Sequence, residues 1–349
     1  MEPKDIDSLV RPNILALEPY STARDEYSGG SLGVFLDANE SPYENGVNRY
    51  PDPHQNALKA RISEIKGIDS ANIFLGNGSD EAIDIVFRVF CTPGRDRAVA
   101  ISPSYGMYKV AAATNDIALE QLCLNVDWSL PVDRILEAAG ENVKVIFLCS
   151  PNNPTGNAFP REDIMRIVDS FRGIVVVDEA YADFSSQGSL AGEACTRGNL
   201  IVLQTLSKAW GMAGLRIGMA FACERVISLM SRVKYPYNIN VAAQTQALRM
   251  LQRNRPYIEE IISERERLGA ALGPMRCITE IWPSDANFLL VRTTDADGIY
   301  AFLTSRGIIV RNRSHVPMCG GCLRITVGLK EENEKLLEAL KEYEESHLC

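Results

Sequence analysis

Thr205-Leu206-Ser207-Lys208-Ala209-Trp210-Gly211-Met212-Ala213-Gly214-Leu215-Arg216-Ile217-Gly218 stands one residue after the apolar run Leu200-Ile201-Val202-Leu203. That run is short, rich in branched side chains and reads as a strand buried on both faces. A lysine at the mouth of such a strand is partly desolvated, which favours the neutral amine, and a neutral amine attacks carbonyls. Thr205 and Ser207 add hydroxyls, Gly211, Gly214 and Gly218 let other groups approach the backbone, and Arg216 can grip a phosphate bidentately. The stretch describes a carbonyl-reactive lysine beside a phosphate cup. Taken alone, a Ser-Lys pair in a glycine-rich loop is more often a surface feature, so the reading rests on the chain around it.

Outward from this stretch, strands and helices alternate. Ile73 to Leu75, Ala98 to Ile101, Val143 to Cys149, Ile174 to Val177, Leu200 to Leu203 and Ile217 to Ala222 read as strands. Ala57 to Ile65, Ala82 to Phe90 and Arg161 to Phe171 carry helical periodicity. The pattern predicts an α/β fold with a large doubly wound, mostly parallel sheet over residues 45–241. Residues 1–30, with Pro3, Pro12, Pro19 and Gly29-Gly30, read as an N-terminal arm. Residues 31–44 and 242–349 are expected to form a smaller α+β domain, with strands at Leu32 to Leu36, Phe288 to Val291, Ile308 to Val310 and Leu323 to Val327. One or two long helices over Ala242 to Leu272 and a closing helix from Glu331 to Glu345 complete it.

Composition limits the function. The chain has 349 residues, 46% hydrophobic and 23% charged, a net charge of −9 and a pI near 5.1. An acidic field with scattered Lys and Arg argues against nucleic-acid or anionic-membrane partners. The start, Met1-Glu2-Pro3-Lys4-Asp5-Ile6-Asp7, has no apolar signal region and no window is long enough to span a bilayer, so a cytoplasmic protein is expected. The nine cysteines are irregularly spaced and fit reduced core thiols. Cys319-Gly320-Gly321-Cys322 invites a metal or redox role, but a second such pair is absent and only His54, His315 and His347 occur. No metal is expected.

In open α/β sheets ligands sit beyond the carboxyl ends of the strands, and the unusual residues fall there. Gly78-Ser79-Asp80, at a helix start, makes an anion site that lacks the third glycine of a dinucleotide fingerprint. Tyr105, in Pro103-Ser104-Tyr105, can stack on a flat ring. Ser150-Pro151-Asn152-Asn153-Pro154-Thr155-Gly156 holds an asparagine amide in a fixed direction. In Asp178-Glu179-Ala180-Tyr181 the first carboxylate can keep a pyridine nitrogen protonated, since an opposite charge at contact shifts a pKa by about 1–3 units, and Asn153 and Tyr181 can then bond a ring hydroxyl.

SPNNPTG at 150–156, DEAY at 178–181, TLSKAWGMAGLRIG at 205–218 and NGSDE at 77–81 together resemble the pyridoxal-phosphate-dependent aminotransferases of fold type I. LDANESPY at 36–43, NRYPDP at 48–53, PSYGMY at 103–108, SDANFLLVR at 284–292, GIIVR at 307–311 and LRITVG at 323–328 extend the resemblance over nearly the whole chain to the histidinol-phosphate aminotransferases of histidine biosynthesis. The resemblance implies pyridoxal 5'-phosphate as cofactor, Lys208 as its Schiff-base lysine and proton carrier, and Asp178 as partner of the ring nitrogen. It places Tyr105 on the ring, Asn153 and Tyr181 at the ring hydroxyl, and Gly78, Ser79, Asp80, Thr205, Ser207 and Arg216 around the phosphate. Tyr50 is similar to a tyrosine that reaches that phosphate from a second subunit, which implies a homodimer. Arg324, flanked by Arg311 and Tyr20, is expected to take the anionic group of histidinol phosphate or of glutamate and 2-oxoglutarate. Threonine-phosphate decarboxylase and aromatic or broad-range aminotransferases remain alternatives. Trp210 departs from the family's usual Phe or Tyr.

Overall fold

The computed structural model describes residues 5–22, 34–253 and 257–347. Seven strands, β1 (Ile73–Asn77), β2 (Arg97–Ser102), β3 (Ala118–Cys123), β4 (Val143–Cys149), β5 (Ile174–Asp178), β6 (Leu200–Thr205) and β7 (Ile217–Phe221), form one sheet in the order β1-β7-β6-β5-β4-β2-β3. The contacts of β2 with β3 and β4, of β4 with β5 and of β5 with β6 are parallel, while β7 runs against both β6 and β1. All strands but β7 therefore end on one edge, and β7 begins there.

The inner strands are buried on both faces, and the two-residue period divides them between two cores. Ile146, Leu148, Val175, Val177, Leu200 and Val202 enter one; Val145, Phe147, Ile174, Val176, Ile201 and Leu203 enter the other. Each such side chain, fully buried, contributes about 1.5–3 kcal/mol. β3 went unread in the sequence because it lies at the sheet edge and Ala118-Leu119-Glu120-Gln121-Leu122-Cys123 is only partly covered.

Four further strands, β8 (Ile278–Ile281), β9 (Phe288–Thr293), β10 (Arg311–Asn312) and β11 (Cys322–Thr326), make an antiparallel sheet in the order β10-β11-β9-β8. Helices Ile258–Leu272, Ala296–Ser305 and Lys330–His347 cover it through a core that includes Leu268, Ile299, Ile325 and Leu336. A small cluster joins the two sheets, with Tyr181, Phe184 and Ala209 packed on Ala286 and Phe288.

Some expected elements differ. The strand expected at Ile308 to Val310 is unpaired chain; Val310 enters the small core, Ile309 is exposed, and pairing begins only at Arg311. Of the strand expected at Leu32 to Leu36, residues 32 and 33 lie outside the described residues, and Val34 to Leu36 form no strand. The helical stretch after 241 divides into Val241–Arg253 and Ile258–Leu272. The first packs Ala243, Ala247 and Leu251 into the large sheet's core. Within the arm, Val10 and Ile14 bury against the other face of the large sheet, and Asp7 pairs with Arg225 at 2.7 Å.

One contact sets the shape of the edge where the strands end. Gly218, paired with Thr205 and Gly76, lies so close under Gly78 and Ser79 that a Cβ there would overlap Ser79 N and Gly78 C. Backbone cannot yield as a flexible side chain does. Gly218→Ala is therefore expected to lower stability by at least about 1–3 kcal/mol and to displace the start of helix Ser79–Phe90, read as a lowered melting temperature with weakened anion binding at that helix start.

Candidate active site

The edge opens into a cavity of about 660 Å³. Its walls carry Ser79, Asp80, Tyr105, Asn153, Asp178, Tyr181, Thr205, Ser207, Lys208 and Arg216 from the large sheet's loops, with Arg311 and Arg324 from the small sheet. Residues drawn from seven segments of sequence thus meet at one place.

Asp178 is the last residue of β5 and only 2% exposed. Its Oδ2 accepts a hydrogen bond from the Tyr108 hydroxyl at 2.8 Å and its Oδ1 one from the Ala180 N–H at 3.1 Å. Burial pushes its pKa up to about 6 in spite of these bonds and of the Lys208 charge. Tyr108 was not singled out in the sequence. It lies three residues beyond Tyr105, its ring stacks on Phe147 at 4.9 Å, and burial together with Asp178 holds its hydroxyl well above the ordinary range.

Lys208 opens toward the cavity, with Nζ 5.5 Å from the centre of the Tyr181 ring. The walls still remove much of its water. That desolvation, with Arg324 and Arg216, holds its pKa below the usual lysine value against the pull of Asp178 and Asp80. Tyr181 is buried and its ring meets Phe288 edge-on at 5.2 Å.

Arg216, Asp80 and Ser207 lie on the cavity wall with Lys208. Arg216 adopts φ 53° just before β7, and a Cβ on Gly78 would come within 2.6 Å of its Nη2. Nη2 lies 3.2 Å from Asp80 Oδ2, while Asp80 Oδ1 accepts from the Tyr105 hydroxyl at 2.9 Å. The Ser207 N–H donates to Thr205 Oγ1 at 3.1 Å, and the buried Ser207 Oγ has no partner. A buried hydroxyl left unpaired costs stability unless a ligand meets it.

At the opposite end Arg324, on β11, donates from Nη1 to Asn153 Oδ1 at 2.5 Å, and Arg311 faces it across the β10–β11 ladder. Arg313, unread in the sequence because it falls outside the matching GIIVR block, also lines the wall. Asn152 locks the loops together: it accepts from Ser104 Oγ at 3.0 Å and donates to Pro103 O at 3.0 Å and Thr155 Oγ1 at 2.8 Å. Glu179 serves the fold, accepting from the Leu190 N–H at 2.7 Å and Gln204 Nε2 at 3.0 Å.

Two expected residues stand apart from the cavity in the single chain. Tyr50 is exposed and stacks on Tyr237 at 4.4 Å, and Tyr20 is 74% exposed. Cys319 and Cys322 are buried thiols, with burial pushing Cys319 up to about 12. Among the described residues no cluster of His, Cys, Asp and Glu could hold a metal, and no helix is long and apolar enough to cross a membrane.

The chain belongs to the aminotransferase class I and II family, whose model matches residues 26–340. Within that family it is 51% identical to the histidinol-phosphate aminotransferase of Bacteroides fragilis, over 98% of this chain and 100% of that one. It is 52% identical to the histidinol-phosphate aminotransferase of Parabacteroides distasonis, over 97% of this chain and 99% of that one. The crystal structure of histidinol-phosphate aminotransferase from Sinorhizobium meliloti in complex with pyridoxal-5'-phosphate matches with a TM-score of 0.77 and 25% identity, covering 85% of this chain and 83% of that one.

The buried carboxylate has a consequence for stability. Asp178 releases its proton at about 6 when folded and near 3.8 as a free side chain. The fold thus binds that proton more tightly than the unfolded chain, and the ligand-free protein loses stability as pH rises from about 4 to 6, a loss that persists above. Asp178→Asn removes the penalty. The ligand-free variant should melt a few degrees above wild type near pH 8, with the gap closing toward pH 4, as differential scanning calorimetry would record.

Proposed function

We propose that this chain is a pyridoxal-phosphate-dependent transaminase that interconverts L-histidinol phosphate and 2-oxoglutarate with imidazole acetol phosphate and L-glutamate. The observation that carries the reading is one cavity in which Lys208, kept below its ordinary pKa, faces the buried Asp178 between two anion-binding ends. Family membership and near full-length relatives of that name support it.

The donor set fits the cofactor. The unpartnered Ser207 Oγ, the Ser79 N–H at a helix start and the Arg216 guanidinium suit its phosphate. Asp178, buried without a cationic hydrogen-bond partner, suits a protonated ring nitrogen. Tyr105 flanks the ring space, and Tyr181 and the Asn153 amide N–H suit the ring hydroxyl, the Asn153 oxygen being taken by Arg324. When bound, pyridoxal phosphate supplies a carbonyl that takes up the amino group and a ring that spreads the electrons left by a broken C–H bond.

The chain's own residues do the rest. Lys208 Nζ, with its lowered proton affinity, would hold the cofactor through its carbonyl carbon and, once released by the substrate's amine, would move the proton at the amine-bearing carbon of the substrate. Asp178 stays ionised once a cation pairs with it, and Tyr108 fixes the direction of that carboxylate. Arg324 binds the substrate's anionic end, phosphate or carboxylate, and Arg311 assists. The loops of the large unit hold the cofactor and the small sheet supplies the arginines. The enzyme acts in the cytoplasm as a homodimer, in which the exposed Tyr50 reaches the phosphate in the second subunit's cavity.

Single-turnover absorbance of the cofactor-loaded protein tests the reaction. Histidinol phosphate and glutamate should each shift the cofactor to its amine form, and Lys208→Ala should slow turnover at least about a thousandfold. Reaction with threonine phosphate alone, releasing carbon dioxide, would make it a lyase instead. The shared site has a separate check. Lys208→Ala and Tyr50→Ala chains, each impaired alone, should regain activity when mixed and re-assembled, because one mixed dimer then contains one complete site; no recovery would count against Tyr50 in trans.

A further inference from the structure

Three guanidiniums gather at the substrate end of the cavity, those of Arg311, Arg313 and Arg324. Among the described residues none of them forms an ion pair with a carboxylate, although paired arginines are common elsewhere in the chain. One guanidinium suffices for a carboxylate, which has two oxygens matched by one planar fork. Three unneutralised ones suit an anion of higher charge with more oxygens.

Arg313 is the member whose position needs explaining. It follows β10, two residues after Arg311, and its backbone is fixed on both sides: its N–H donates to Cys322 O at 2.8 Å and its carbonyl accepts from the Val316 N–H at 2.8 Å. The side chain is half-buried, and its Nε, like that of Arg324, is fully buried without any partner. Desolvation and the neighbouring Arg311 lower its proton affinity. A cation held in so unfavourable a place by a pinned backbone, on the cavity wall and with no carboxylate paired to it among the described residues, is arranged for a ligand.

We propose that Arg313 is the specificity-determining residue for phosphorylated substrates: its guanidinium takes terminal oxygens of a substrate phosphate monoester, while Arg324, bonded to Asn153, serves phosphate and carboxylate substrates alike. The proposal rests on the transaminase reading above. It explains how one pocket favours a phosphorylated amine and still admits the smaller dicarboxylate of the second half-reaction.

The experiment uses cofactor-loaded wild type, Arg313→Gln and Arg313→Lys, with cofactor absorbance confirming that each variant is folded and loaded. For each, KM and kcat are measured with histidinol phosphate and with glutamate, together with the inhibition constant of inorganic phosphate against glutamate. Expected for Arg313→Gln is a rise of roughly ten- to hundredfold in KM for histidinol phosphate and in the phosphate inhibition constant. kcat should change little and glutamate KM stay within about threefold; Arg313→Lys, which keeps the charge and loses the fork, should recover part of the loss. Equal losses on both substrates, or an unchanged histidinol-phosphate KM, overturn the proposal. A wild type that ignores histidinol phosphate but is inhibited by phosphate through Arg313 would instead defeat the substrate assignment and leave the anion subsite standing.

Discussion

A carboxylate buried at the end of β5 is the constraint on which the site depends. Asp178 is nearly inaccessible, accepts only neutral donors in the ligand-free chain, and is pushed toward the protonated form by its surroundings. Moving a charge out of water is expensive unless an opposite charge meets it. Such a group persists where the environment is completed by a bound cation. The sheet makes that environment possible: β4 and β6 flank β5 in parallel, so the loops after all three open at the same edge, around the same carboxylate.

The reversal of β7 brings Arg216 back to that edge. Because β7 runs against β6, the turn joining them carries Lys208 at its start and Arg216 at its end, and both come back to one mouth. Gly218 then permits helix Ser79–Phe90 to begin directly above β7. The two ends of the cavity differ in origin. The end that holds Lys208 and Arg216 is built within the large sheet, while the arginines at the other end arrive from the small sheet through its contact at Phe288.

Much of this was legible in the chain. Strands buried on both faces announce themselves as unbroken Val/Ile/Leu runs, which is why β4, β5 and β6 were placed nearly to the residue. β3 and β8 were missed because these two edge strands are only partly buried and carry polar residues that blur the pattern. Ile308 to Val310 looked like a strand because apolar residues report burial and not pairing; only Val310 is buried. Tyr108 was overlooked because a tyrosine in a helix is most simply a core residue, and its role appears only when its hydroxyl is seen against Asp178.

By itself the sequence determined the α/β architecture and the strand-end loops and singled out Lys208, Asp178, Asn153 and Arg216 as candidates, since these follow from local patterning and from residue types whose reactivity travels with them. The tertiary structure alone decided which groups meet. It brought Arg324 to Asn153 across 171 positions of sequence, set Tyr108 beneath Asp178 and turned Arg313 toward the cavity. The physical reason is that proximity between distant segments is a product of packing, and burial, which shifts the proton affinity of Asp178 and Lys208, exists only once the chain has closed around them.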